Sequence, residues 1–236
     1  MSYLLLDRFR SLFEGVLYRH RASNLGDSVA WQLPEDLYVL NLSTKLNERI
    51  DSGQCVLNLS NTLRGIKFRR GDATFGEVVP NSTTMSGSGF RVKRGELATV
   101  EIGIEVKTLA KAMIKQIDRV ISDLTRQVEH FRYAGGNPVS VGIVGINHAD
   151  RYVSREGDRA WPTDGKKHKH PVQEAEEAEK RLISRAAAAF DEFIVLRFVA
   201  RNEPPYLFKW LDEPQTELDY GAALTRIVRK YEARFT

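Results

Sequence analysis

The sequence predicts an α/β fold, a mixed central β-sheet flanked by helices. Three observations predict it. Apolar residues recur at helical spacings of three and four in several separate segments. Between them, short β-type runs separated by turn residues cluster from Ile66 to Val106. Finally, the apolar runs Val139 to Ile146 and Phe193 to Arg201 alternate with helical patterns, the order expected of parallel strands joined by crossover helices.

Taken along the chain, residues 3–20 carry Leu5, Leu6, Phe9, Leu12, Phe13, Val16 and Leu17 on one helical face. A second helix is expected to open at Pro34, since proline suits a first helical turn, and to run through Leu37, Leu40 and Leu46 to about Ile50. A meander follows, with runs at Ile66 to Arg70, Ala73 to Val79, Phe90 to Lys93 and Leu97 to Val106; Pro80 to Gly89 is its loop. The clearest helix steps through Leu109, Met113, Ile117, Val120, Ile121, Leu124, Val128 and Phe131, and Gly135-Gly136-Asn137-Pro138 closes it. Val139 to Ile146 reads as a buried strand and His148 to Pro171 as a long polar loop. A helix at about Gln173 to Ala189, a strand at Phe193 to Arg201, a short apolar piece at Tyr206 to Leu211 and a helix at about Glu217 to Phe235 complete the chain.

With 236 residues, the chain suits one domain, with a core from about Glu35 to Arg201 and a helix added at each end. No apolar run reaches bilayer-spanning length, and Asp7, Arg8 and Arg10 interrupt the N-terminal apolar stretch, so no membrane partner and a cytoplasmic location are expected. The single cysteine, Cys55, excludes an internal disulfide and is expected in the core. The net charge of +4 is mild, but its distribution is uneven. Arg64, Lys67, Arg69, Arg70, Arg91, Lys93 and Arg94 stand against only Asp72 and Glu77 between Asn61 and Arg94, leaving the rest of the chain at −1. So local an excess fits a polyanion footprint or, equally, a solvated face.

The most legible chemistry lies at Glu105-Val106-Lys107. In a strand, residues two apart share a face, so a carboxylate and an ammonium project side by side while Ile104 and Val106 turn to the core. That pairing suits metal-assisted phosphodiester hydrolysis; a plain surface ion pair is the bland alternative. A second carboxylate cannot come from the same strand. Glu96 lies about 30 Å and Glu101 about 13 Å from Glu105 at strand rise, against Mg²⁺–oxygen distances of about 2.1 Å. Asp72, opening a neighbouring β-like run, can pair laterally with Glu105, with Glu77 in reserve.

Asp72, then Glu105-Val106-Lys107 closing a strand that leads into a long amphipathic helix, resembles the PD-(D/E)XK nuclease superfamily. The element order from Glu35 to Arg201 is similar to that family's restriction-endonuclease-like core. The resemblance implies a Mg²⁺-dependent nuclease, with Mn²⁺ as a substitute ion, acting on DNA, with restriction or phage defence as the associated role. Asp72 and Glu105 would bind the metal and Lys107 would attend the attacking water. A helix glutamine joins the site in some branches, for which Gln116 is preferred over Gln127 because it lies nearer the helix start. A carboxylate from the preceding helix, Glu48 or Glu35, completes others. Glycine rather than proline precedes Asp72, a departure from the family's usual motif. Under this resemblance Arg69, Arg70, Arg91, Lys93 and Arg94 become phosphate contacts, extended by Lys111, Lys115 and Arg119 at four-residue spacing on the long helix. The alternative is an inactive nucleic-acid-binding or assembly protein of the same fold; a homodimer is compatible with either.

Other patterns gain no support. His148, His168 and His170 match no zinc spacing, and their cationic loop, with Tyr152 and Trp161, reads better as a substrate-contacting flap. Gly142-Ile143-Val144-Gly145 lacks a phosphate-loop lysine, and no serine-nucleophile turn is present.

Overall fold

A computed structural model describes residues 2–19, 25–59, 62–63, 66–67, 71–87, 89–111, 113–133, 136–156, 159–165 and 170–235. The helices are α1 (Leu4–Ser11), α2 (Leu25–Ala30), α3 (Gln32–Leu40), α4 (Thr44–Asp51), α5 (Met113–Tyr133), α6 (Pro171–Arg185) and α7 (Glu213–Phe235). The strands are β1 (Cys55–Asn58), β2 (Thr62–Leu63), β3 (Ile66–Lys67), β4 (Ala73–Glu77), β5 (Thr84–Met85), β6 (Arg94–Gly95), β7 (Ile102–Leu109), β8 (Val139–Asn147), β9 (Tyr152–Glu156), β10 (Arg159–Thr163), β11 (Glu192–Ala200) and β12 (Phe208–Trp210). Eight of them form one mixed sheet in the order β12-β11-β8-β7-β4-β1-β6-β5. β1, β4 and β7 run antiparallel as a meander, whereas β7, β8 and β11 run parallel with α5 and α6 as crossovers. The α/β class and the helix-flanked mixed sheet therefore match the sequence expectation.

Each face of the sheet has its own apolar cluster. Ile102, Ile104 and Val106 of β7 join Val139, Val141, Ile143, Leu196 and Phe198 under α1, α3 and α7. Leu109 and the opposite faces of β8 and β11 pack against Ile117, Ile121, Leu124 and Val128 of α5 and Ala175, Ala178 and Leu182 of α6. Both terminal helices thus belong to the main core. Phe9 of α1 and Tyr220 of α7 are fully buried, and Asp36 ties the two together by accepting the Leu4 and Leu5 N–H groups (2.8 and 3.0 Å) and the Tyr220 hydroxyl (2.8 Å).

Several element boundaries differ from expectation, for local reasons. The first helix ends at Ser11, not near residue 20, and Gly15 sits at φ 69° in the turns beyond it. The expected helix from Pro34 to Ile50 is split, because Asn41 adopts a left-handed conformation at the end of α3 and the Ser43 hydroxyl then caps α4 by accepting the Leu46 N–H. The first strand of the meander is the wholly buried Cys55–Asn58; of the expected run Ile66 to Arg70, Ile66 and Lys67 form β3, which pairs with β2 in a separate hairpin, and residues 68–70 lie outside the described residues. Phe90 to Lys93 is not a strand, and β6 begins at Arg94. Leu109 closes β7 rather than opening α5. The stretch read as a polar loop after His148 contains the β9–β10 hairpin. Among the described residues, no helix is long and apolar enough to cross a membrane.

One acidic anchor at the β8–β11 junction makes a pH prediction. Asp191 accepts the Ser140 N–H and hydroxyl, each at 2.9 Å, and pairs with the Arg234 guanidinium. Burial pushes its carboxyl up, but Arg234 and Ser140 outweigh burial and hold it at about 2. A lowered folded-state value gives stability that is present above the unfolded pKa, about 3.9, and is lost as pH falls towards 2. Urea midpoints are therefore expected to drop over that window, and Asp191→Asn is expected to lower the midpoint at pH 7 while flattening the acid-side drop. An Asp191→Asn curve parallel to wild type would refute the assignment.

Candidate functional site

The predicted carboxylates meet where β4 joins β7. The antiparallel register pairs Ala73 with Ile104, so Asp72 stands across from Glu105. Asp72 grips β7 on both sides of that glutamate: its N–H donates to the Ile104 carbonyl at 3.2 Å and its Oδ2 accepts the Val106 N–H at 2.6 Å. Gly71 can occupy φ 73° because it lacks a side chain, and a Cβ there would lie 2.8 Å from the Phe131 ring and 3.1 Å from Glu105 Oε2. Glycine before Asp72 is thus required by the close approach of α5. Gly103 serves the same end, since a Cβ there would meet the Phe131 ring at 2.5 Å.

Glu105 is 2% exposed. Its Oε1 accepts a hydrogen bond from Lys107 Nζ, as the shared strand face predicts, and the lysine side chain remains 25% exposed. Its Oε2 is buried without a hydrogen-bond partner. Such an atom is costly to bury unless something satisfies it. Burial and the Glu105 charge push the Asp72 carboxyl up to about 7 against the pull of Lys107 and the Val106 N–H, and Asp27 adds a smaller push. Two adjacent carboxylates, one with an orphaned buried oxygen, are a donor set that fits a hard divalent cation. Among the described residues no group of three or more His, Cys, Asp or Glu side chains is arranged to hold a metal.

The other expected residues fall in different surroundings. Gln116 is exposed near the start of α5, whereas Gln127 is buried one helical turn before Phe131, the side chain that packs on Gly71 and Gly103. Glu35 is a structural acceptor for the Arg91 and Val92 N–H groups (3.0 and 2.9 Å), and Glu48 is exposed on α4. Glu77 lies at the opposite end of β4 from Asp72, 3.7 Å from Arg49, and Glu96 accepts from the Thr83 hydroxyl. Glu101 is bound by Arg49 and Tyr231. The acidic residue the sequence reading missed is Asp27 on α2. Its neighbour Gly26 approaches Asp72 so closely that a Cβ would lie 2.6 Å from Oδ1. No local pattern marks Asp27, which comes from a six-residue helix distant in sequence.

The basic residues divide similarly. Arg69 and Arg70 lie outside the described residues. Arg91, Lys93 and Arg94 sit at the β6 end of the sheet, three strand positions from β7 and therefore about 14 Å away laterally. Arg94 is stacked between Trp31 and Phe90, at 4.5 and 4.4 Å from the ring centroids, and Lys93 lies over the Gly53 turn. Lys111 is half-buried just beyond β7, Lys115 is exposed on α5, and Arg119 is 3.9 Å from Asp123. His148 lies 3.5 Å from Glu179 and His170 caps α6; His168 lies outside the described residues. Cys55 is buried in β1, as expected, and its thiol is pushed up to about 12 by burial and Glu101. Gly142 and Gly145 leave room for Phe193 and Phe9 rather than for a nucleotide.

No family model, no curated protein and no solved structure matches this chain.

Proposed function

We propose that the chain is a Mg²⁺-dependent nuclease with a restriction-endonuclease-like core of the PD-(D/E)XK type, hydrolysing phosphodiester bonds of DNA. The observation that carries this reading is the β4–β7 junction: Asp72 clasps the strand around a buried Glu105, whose one oxygen holds Lys107 and whose other oxygen is orphaned. Asp72 and Glu105 would hold Mg²⁺ or Mn²⁺, which when bound supplies Lewis-acid stabilisation of charge on the phosphoryl oxygens.

The chain's own residues account for the rest of the chemistry. Lys107 is anchored on Glu105 but partly exposed, so its remaining N–H donors can orient a water beside the scissile phosphate and offset developing negative charge. In an in-line displacement the water oxygen forms a new P–O bond as the bond to the leaving sugar oxygen breaks. The proton released by the water returns to solvent, and the leaving oxygen takes one up, so charge and atoms balance. Phe131 of α5 packs over Gly71 and Gly103 on the face that carries Glu105, and the shelter it gives the carboxylate strengthens each of these interactions. Lys111 and Lys115, beyond the strand end, are placed in sequence to meet neighbouring phosphates.

The test is incubation of the purified protein with linear, circular and single-stranded DNA, with Mg²⁺ or with chelator. Mg²⁺-dependent cleavage products are the expected result. Salt-sensitive binding without products would instead make this a nucleic-acid-binding protein, and neither binding nor cleavage would remove DNA from its function.

A further inference from the structure

Among the described residues, part of one edge of β11 has no strand beside it. β8 pairs with Glu192 to Phe198 on one side, but β12 reaches only Phe198 to Ala200 on the other, with the Leu211 N–H extending the contact to the Arg197 carbonyl. That bond and the β12 register turn the main-chain groups of odd-numbered residues towards the β12 side, so Phe193 and Val195 present theirs along the open stretch. Among the described residues, no strand pairs with them. The stretch forms the floor of a groove of about 330 Å³ between α6 and α7, whose walls include Ile183, Asp219, Ala222 and Arg226. An open edge over apolar walls is a template for another strand.

We propose that this groove is the interface of a homodimer, in which β11 of two copies pair antiparallel about a two-fold axis at Ile194. The charge pattern selects a second copy over an unrelated strand. On α7, Arg226 pairs with Glu192 at one end of the open stretch, while Asp219, which accepts from Gln215 at 2.7 Å, lines the groove two turns earlier on the helix, and Arg197 lines it at the other end of the stretch. Two copies related by an axis between Ala222 and Ala223 set each Arg226 against Asp219 of the other. The two axes agree: Arg226 to the helix midpoint is about 5 Å at helical rise. Glu192 to Ile194 is about 6.6 Å at strand rise. One rotation therefore satisfies the strand pairing and both ion pairs at once, the self-complementarity that an isologous interface requires. Ala222 at the centre allows the two helices to approach closely, and Ile183, 49% exposed, is covered.

The experiment is mass measurement of the full chain by light scattering and sedimentation. Wild type is expected to be a dimer. Val195→Pro removes an edge N–H and is expected to give a folded monomer. Asp219→Arg and Arg226→Asp each juxtapose like charges twice, and each alone is expected to weaken the dimer by at least about tenfold. Mixed together, the two variants restore one native and one reversed ion pair and are expected to form a heterodimer. A monomeric wild type at all accessible concentrations would overturn the proposal. So would a dimer that both charge variants leave intact, or variants that dissociate but do not recombine when mixed.

Discussion

Glu105→Ala and Lys107→Ala are expected to lower the rate of Mg²⁺-dependent DNA cleavage by about 10²–10³, the loss seen when a positioned charge is removed from a reacting centre. The two variants should fail in different ways. Glu105→Ala removes both the orphaned oxygen and the anchor of Lys107, so added Mg²⁺ is expected to raise the melting temperature of wild type but not of this variant. Lys107→Ala leaves both carboxylates in place and should keep that stabilisation while losing turnover. Melting curves with Mg²⁺ and with chelator, run beside cleavage assays, separate the two. Full activity in both variants would end the nuclease reading, and loss of the Mg²⁺ response in Lys107→Ala would remove the division of roles.

Arg49→Met is expected to destabilise the protein by about 3–5 kcal/mol, the usual consequence of leaving a buried charge without its partner. Arg49 holds Glu101 through two bonds of 2.8 Å, and the Tyr231 hydroxyl donates to the same carboxylate at 2.7 Å. Glu101 is only 5% exposed, so solvent cannot replace the guanidinium. The cluster joins α4, the start of β7 and α7, three elements far apart in the chain. Replacing both partners, as in Arg49→Met with Glu101→Leu, should recover much of the loss, because the desolvated charge disappears with its partner. Urea midpoints for the two singles and the double measure this directly; a single variant as stable as wild type would contradict it.

The parts of the fold legible in the sequence were those with long, uninterrupted periodicity. α5 has apolar residues in step over its length, and β8 is apolar enough to be buried on both faces. Short elements left no such trace. Cys55–Asn58 is four residues long and buried throughout, so it shows no alternation that would mark a strand. The break between α3 and α4 depends on one left-handed asparagine and one serine cap within a continuous apolar pattern. At the site, the face shared by Glu105 and Lys107 followed from strand geometry, and the lateral approach of Asp72 followed from the need for a second carboxylate. Asp27 and the burial of Gln127 did not, because the packing of α2 and α5 against β4 and β7 sets both. The basic residues of the Asn61–Arg94 stretch were close in sequence, but the meander carries Lys93 and Arg94 to the far side of β1.

The clasp of Asp72 on β7 also bears on how the protein tolerates change. The carboxylate that would serve the chemistry also accepts the Val106 main-chain bond beside Glu105. Substitutions at this position therefore cannot trade activity for stability freely: a side chain without an acceptor loses both, and asparagine keeps the bond but changes the charge. Lys107 carries a double duty of its own, because its ammonium is the donor to one oxygen of the buried Glu105. A lineage drifting from cleavage towards binding alone would thus find residue 72 closed and residue 107 open only together with residue 105, where both charges leave at once.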